Sequence, residues 1–272
     1  HMQTKRLKAW LYPVAIEREY TALMTEYAKE LQSATYKALN MRQDASEDDY
    51  KTLLSEVMGI ASSVSRYADI VIKKLYELAE KIAGFNRLQF FAVIKSGYGL
   101  DVFAPKEPWL EEALKEWSKI NAELIKDIGV DYQRKIAGQV SAAISNGTDV
   151  DTLKKQIMQT INMPANRAEL IAVDQTQKLN AQLTRERQTR IGITKYRWRG
   201  RLDARERPEH LLREGKIYSW DKPPHDGHAG VPIRCRCWAE MILPALEDID
   251  AIIFGGGENP ELNRELKRRG LI

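Results

Sequence analysis

Apolar side chains recur at helical spacing through most of the first 190 positions. Ile16, Tyr20, Leu23, Tyr27, Leu31, Ala34 and Ala38 step by three or four residues and predict one helix with a single apolar stripe. An acidic break over Asp44–Asp49 follows, where Ser46 with Asp49 three residues on resembles a capping box for the next helix. From Leu53 through Val57, Ile60, Val64, Tyr67, Val71, Leu75 and Leu78 to Ile82 the near-heptad step is sustained, and with the first helix it predicts a long antiparallel helical hairpin. The polar faces mix both charge signs, which favours core packing over a membrane-surface role. Gly84 ends the run, and the apolar segment Phe85–Ile94 reads equally as more helix or as a buried strand.

The loop-forming stretch from Ser96 through Gly99 and Pro105 to Pro108 is the expected hinge. Trp109, Ala113, Trp117, Ile120 and Leu124 then give a helical face, with the two tryptophans read as packing residues, and Gly129 is expected to separate it from a helix over Val130–Ser145. Asn146-Gly147 is a stop signal, Thr148 or Asp149 can cap Val150–Ile161, and a last helix over Ala165–Ile191 ends at Gly192. That helix is polar inside, with Asp174, Gln175, Thr176, Gln177, Asn180, Gln182 and Thr184, so it is expected against a wet surface or a partner. Beyond Gly192 the pattern switches. Ile193–Arg199 alternates bulky and charged residues as a half-buried strand does, and Ile217–Trp220 and Cys235–Leu243 are two more strand candidates.

The expected fold is therefore mainly α, with a small C-terminal β-rich (α+β) module. The expected organisation is a helical hairpin over 1–95, a compact helical region over 96–192, the β-rich module over 193–243 and an extended arm over 244–272. A length of 272 residues and 43% hydrophobic content suffice for real cores. No apolar run approaches the roughly 20 residues of a membrane-spanning helix, and no signal peptide is read. His1 belongs to a His-Met start that reads as a cloning scar. The two cysteines are one residue apart and cannot form an unstrained framework disulfide, which points to a reducing cytoplasm.

Charge and chemistry both concentrate near the C-terminal module. The net charge is +4, yet residues 185–216 carry eleven Lys/Arg against five acids. Such a field suits a polyanion or an acidic protein surface, or is a solvated helix end with an Arg-rich hairpin. His210, His225, His228, Cys235 and Cys237 gather every cysteine and every histidine but His1 into one stretch. Two thiols with imidazoles suit a structural zinc. The alternative is two buried thiols packing a small sheet, with His210 hydrogen-bonded beside Asp203. A catalytic arrangement would use His210 as general acid/base, Asp203 to orient it and Arg205 or Arg207 to hold a phosphate. No second histidine is placed as the acid, so a non-enzymatic role is expected. Arg197, Arg199, Arg201, Arg205 and Arg207, interleaved with Tyr196, Trp198, Tyr218 and Trp220, are the nucleic-acid-binding candidates, although these aromatics can equally be the module's core.

The order of these motifs resembles a known family. Ile16-Glu-Arg-Glu-Tyr20 in a long helix, Leu170–Asn180 in a polar helix, Gly192-Ile-Thr-Lys-Tyr-Arg-Trp198, Asp203-x-Arg-x-Arg-Pro-x-His210, Gly215, the Pro223-Pro224 turn and Pro232-Ile-Arg-Cys-Arg-Cys237 resemble the Mu F-like phage head morphogenesis (minor head or minor capsid) proteins. The resemblance runs over residues 12 to 243, its specific part being the C-terminal motifs. It implies a low-copy structural component of the procapsid near the portal, residing in the capsid interior after assembly in the host cytoplasm. The implied partners are the portal protein, the major capsid or scaffold protein and packaged double-stranded DNA, with no membrane. A nuclease or toxin-like effector built on the His210-centred module is the alternative. Many members carry a Cys-x-x-Cys pair where this chain has Arg207-Pro-Glu-His210, so a four-cysteine zinc site does not carry over. Asp174-Gln-Thr176 also stands where the family often has an Arg-Thr-Glu-type run.

Overall fold

The structure is a computed structural model and describes residues 8–40, 45–98 and 107–243. The expected arm over 244–272, most of the expected hinge loop and His1 lie outside the described residues. The chain is mainly helical, with one small antiparallel sheet near its C-terminal end. The elements are α1 (Val14–Ala38), α2 (Glu47–Met58), α3 (Ile60–Ser63), α4 (Ser65–Tyr98), α5 (Leu110–Asn146), α6 (Val150–Thr160), α7 (Met163–Arg190), β1 (Lys195–Arg199), α8 (Pro208–Leu211), β2 (Ile217–Ser219) and β3 (Trp238–Met241). Among the described residues no helix is long and apolar enough to cross a membrane.

Local sequence explains most boundaries. Ser46 and Asp49 form the expected capping box at α2, each side chain taking the other's backbone amide. Asp149 caps α6 by accepting from the Thr152 amide. Gly147 and Gly192 follow α5 and α7 at φ +61° and +80°, the left-handed conformation in which glycine is unstrained. The long near-heptad run is interrupted at Gly59 and Val64, and the ambiguous Phe85–Ile94 segment continues α4. Gly129 does not separate two helices. It lies buried inside α5, where a Cβ would run into the Tyr27 hydroxyl, so its role is close packing.

Contacts gather the chain into two units. One takes Ala15–Ala79 and Ala113–Val173. Its core is apolar, built from Met24, Leu31, Leu53, Val57, Leu75, Leu78, Ile125, Ile136, Val140, Leu153 and Ile157, all at most 2% exposed. Tyr20 donates to Asn121 Oδ1 at 3.0 Å and Tyr50 to the Thr148 carbonyl at 2.8 Å, so these hydroxyls are paired.

The other unit takes Glu80–Glu112, the N-terminal residues through Val14, and the chain from Asp174. Phe90, Val93, Ile94, Ile191, Ile193 and Met241 form one apolar cluster in it. A second holds Tyr196, Trp198, Trp220, Ala229, Cys235, Cys237 and Ala239. The sheet order is β2-β1-β3, with Tyr196 opposite Tyr218 on one side and Met241 on the other.

The polar interior of α7 overturns the expectation of a wet face. Thr176, Gln177, Asn180, Thr184, Arg187 and Gln188 are all at most 5% exposed. Asn86 donates to the Asn180 carbonyl and side chain and to Thr184. Arg187 makes a two-pronged ion pair with Glu107 at 2.7 and 2.8 Å and also donates to Asn86. Gln177 donates to the Cys237 carbonyl at 3.0 Å and Gln188 to the Ala239 carbonyl at 3.1 Å. Both carbonyls point away from β1, because Trp198, opposite Ala239, directs its own amide and carbonyl to Lys216 and Gly215. The amides of α7 thus take the place of the strand that β3 lacks on its outer side.

Candidate metal centre

The site is assembled from three turns around the sheet. After β1 the chain passes Leu202 at φ +57° and enters a turn in which Asp203 accepts from the Arg205 amide. The single turn of α8 begins with Pro208 at its start. Glu206 and His210 lie four residues apart at this point and turn inward together. The loop before Gly230 then delivers Asp226. The third turn contains Arg234 at φ +53°, a conformation that costs a non-glycine residue roughly 1–3 kcal/mol. Asp174 on α7 accepts from the Arg234 amide at 3.0 Å and holds it there. The bend places Cys235 and Cys237 ahead of β3 rather than within it. On a flat strand the two sulfurs would lie far apart; on the bend they turn toward one point.

His210 Nδ1 lies 3.6 Å from Cys235 Sγ and 3.4 Å from Cys237 Sγ. The three ligand atoms lie within 4.8 Å of one another, and this buried group could hold a metal such as zinc. The fit can be tested on distances. Bonds of about 2.3 Å to sulfur and about 2.0–2.1 Å to nitrogen put N and S roughly 3.5 Å apart around a tetrahedral ion. Both observed separations match. His210 is 1% exposed, Cys235 3% and Cys237 0%.

A second layer orients the imidazole. Asp226 Oδ2 lies 3.0 Å from His210 Nε2, and Asp226 Oδ1 accepts from Arg213 at 2.6 Å. Arg213 stacks over Trp198 at 4.9 Å, and Trp198 meets the His210 ring edge-on at 5.2 Å. Burial pushes the Asp226 carboxyl up, but its bonds to His210 and Arg213 outweigh that and hold it below the usual range. A carboxylate on Nε2 fixes the tautomer that leaves Nδ1 as a lone-pair donor, as at metal-bound histidines. The two thiols are unequal. The hydrogen bond from Cys237 lowers Cys235 to about 6 despite burial, and the same bond, with burial and Glu206, pushes Cys237 up.

The remaining residues that the motifs single out lie elsewhere on the module. Asp203 does not orient His210; it binds both arms of Arg236 at 2.6 and 2.5 Å, which holds its carboxyl well below the usual range. Arg205 is exposed, 3.7 Å from Asp203, and Arg207 donates to the Ile233 carbonyl. Arg197 binds the Gly215 carbonyl and Glu240, and Arg199 binds Glu214 and Glu240. Arg201 is exposed. His225 is exposed beside Glu209 at 3.5 Å. His228 is buried against Trp220, its Nδ1 bonded to the Tyr196 hydroxyl at 3.0 Å, and neither of these histidines joins the thiols. Burial and the Arg185 charge lower the His228 pKa. Glu206, Asp226 and Arg213 belong to the site although no motif in the sequence marks them. The spacing of Glu206 four residues before His210 is the one signal that could have found any of them.

Residues 134–240 match the family described as phage Mu protein F like protein. An uncharacterized protein of Haemophilus influenzae is 33% identical over 160 residues, which is 58% of this chain and 35% of that protein. The chain therefore spans about a third of the length of this curated relative. No solved structure matches. The three turns that carry His210, Cys235 and Cys237 thus lie within residues 134–240, the segment that matches the phage Mu protein F like family.

Proposed function

We propose that this chain is a phage minor head protein, a low-copy structural component that joins the procapsid near the portal, assists head assembly and contacts packaged DNA. The observation that carries this reading is the family match across α7 and the sheet. A non-enzymatic role is supported by the state of His210, whose two ring nitrogens face Asp226 on one side and the thiols on the other, with the ring 1% exposed. A general acid/base has to reach its substrate. DNA contact falls to the exposed Arg201, Arg205 and Arg207, since Arg197 and Arg199 are engaged by Glu214 and Glu240.

In this reading His210, Cys235 and Cys237 hold a structural zinc. The ion would supply a cross-link between α8 and the bend before β3. The chain's own residues do the rest: Asp226 and Arg213 orient the imidazole, Asp174 pins the bend, and Gln177 and Gln188 dock β3 on α7.

The test is co-expression with the cognate portal and major capsid proteins, followed by quantitative mass spectrometry of purified procapsids. A few reproducible copies per particle, lost when residues 193–243 are deleted, are expected. A chain that stays free in the lysate overturns the head-protein reading. RNA hydrolysis by the purified chain that disappears in His210→Ala would favour the effector reading instead.

A further inference from the structure

Three ligands leave a tetrahedral zinc with one position to fill. In sites that do chemistry this position is water, whereas purely structural sites close it with a fourth side chain. Glu206 packs against two of these three ligands, His210 and Cys237. Its Oε1 lies 3.6 Å from His210 Nδ1 and accepts from Cys237 Sγ at 3.2 Å. Oxygen, nitrogen and sulfur ligands around one tetrahedral zinc would be separated by roughly 3.4–3.5 Å. The other oxygen, Oε2, accepts from the Arg201 amide at 2.9 Å, which fixes the carboxylate plane. Gly200 lies close behind it: a Cβ there would meet Oε2 at 3.2 Å. The Glu206 side chain is 3% exposed. A buried carboxylate set against a thiol and an imidazole needs a proton or a cation to hold it there.

We propose that Glu206 is the fourth protein ligand of a closed His-Cys-Cys-Glu zinc site, formed by His210, Cys235, Cys237 and Glu206, and that this site is structural because it leaves no place for a metal-bound water. The inference rests on the zinc reading above but adds both a ligand and a consequence. A carboxylate next to a three-ligand zinc could instead serve as the base for a bound water. The burial of all four side chains argues against that arrangement, because substrate could not approach.

The experiment uses the full chain. Zinc affinity is read by competition with a chromophoric chelator, and coordination by the visible spectrum of the Co²⁺-substituted protein. The wild type is expected to bind one ion per chain with the intense bands of a four-coordinate thiolate site. Glu206→Ala should weaken Zn²⁺ binding by more than about 100-fold, beyond the roughly 10- to 100-fold typical of a residue that only supports a ligand. Glu206→Cys should restore tight binding and add sulfur-to-cobalt charge-transfer intensity, and this variant decides the matter if Glu206→Ala does not fold. A Glu206→Ala protein with wild-type affinity and an unchanged Co²⁺ spectrum overturns the ligand assignment while leaving zinc on the other three residues. So does a Glu206→Cys spectrum that shows no third thiolate. A wild type that binds neither ion overturns the zinc reading itself.

Discussion

The helical unit built from Ala15–Ala79 and Ala113–Val173 and the sheet-bearing unit that follows Asp174 are held together in different ways. The first buries many apolar side chains from its helices, each contributing roughly 1.5–3 kcal/mol, so no one of them is decisive. The second has a three-stranded sheet of five-, three- and four-residue strands, which packs against a helix, α7. To its two small apolar clusters it adds a few directional contacts: the thiol–imidazole centre, the Arg187–Glu107 pair and the amides of α7. Apolar burial tolerates local loss, whereas a buried polar network fails when one member leaves its partners unsatisfied.

The contrast is sharpest under metal removal. On the zinc reading, a strong chelator applied to the full chain, or the Cys237→Ala substitution, is expected to abolish the near-ultraviolet circular dichroism of buried Trp198 and Trp220. The far-ultraviolet helical signal should largely persist. Simultaneous loss of both would show that the units do not differ in this way. Next in size, Arg187→Ala leaves the buried Glu107 carboxylate only the 4.0 Å contact with Arg87 and should cost about 3 kcal/mol by denaturant unfolding. Arg187→Ala together with Glu107→Ala should recover part of that loss, because the uncompensated charge is gone.

In the helical unit, Ile136→Ala removes a fully buried side chain and should cost about 2–5 kcal/mol with no change in metal content, measured by elemental analysis. The smallest effect concerns Asp149. Its bonds to Thr152 lower its carboxyl, so its contribution is complete above the ordinary carboxylate value of about 3.9 and is lost as pH falls through the depressed one. Hydrogen exchange at the first turn of α6 should therefore rise in acid. Asp149→Asn, which keeps a capping oxygen, should flatten that response.

How much of this is legible in the sequence follows from the same contrast. Helix positions can be read because apolar periodicity reports burial directly. The faces are read less well. In α1 the buried side includes Met24, Ala28 and Thr35, while Leu23 and Ala34 are only half-buried. In α5 the core runs through Leu114, Asn121 and Ile125, with Ile120 half exposed. The amides of α7 look like solvent-facing residues because periodicity cannot tell a side chain that meets water from one that meets a strand carbonyl. His210, Cys235 and Cys237 stand out because histidine and cysteine are rare in this chain. Glu206 and Asp226 do not, being two of 38 acids whose importance depends on a turn and on a backbone bend at Arg234.

The docking of Gln177 and Gln188 on the β3 carbonyls also bears on what copies of this chain do to one another when crowded. An open sheet can recruit a strand from a neighbouring molecule and grow into a fibre. Here one flank is closed by side-chain amides, and the other, β2, offers three residues flanked by Lys216 and Lys222. A neighbouring copy is therefore offered little free sheet edge to pair with.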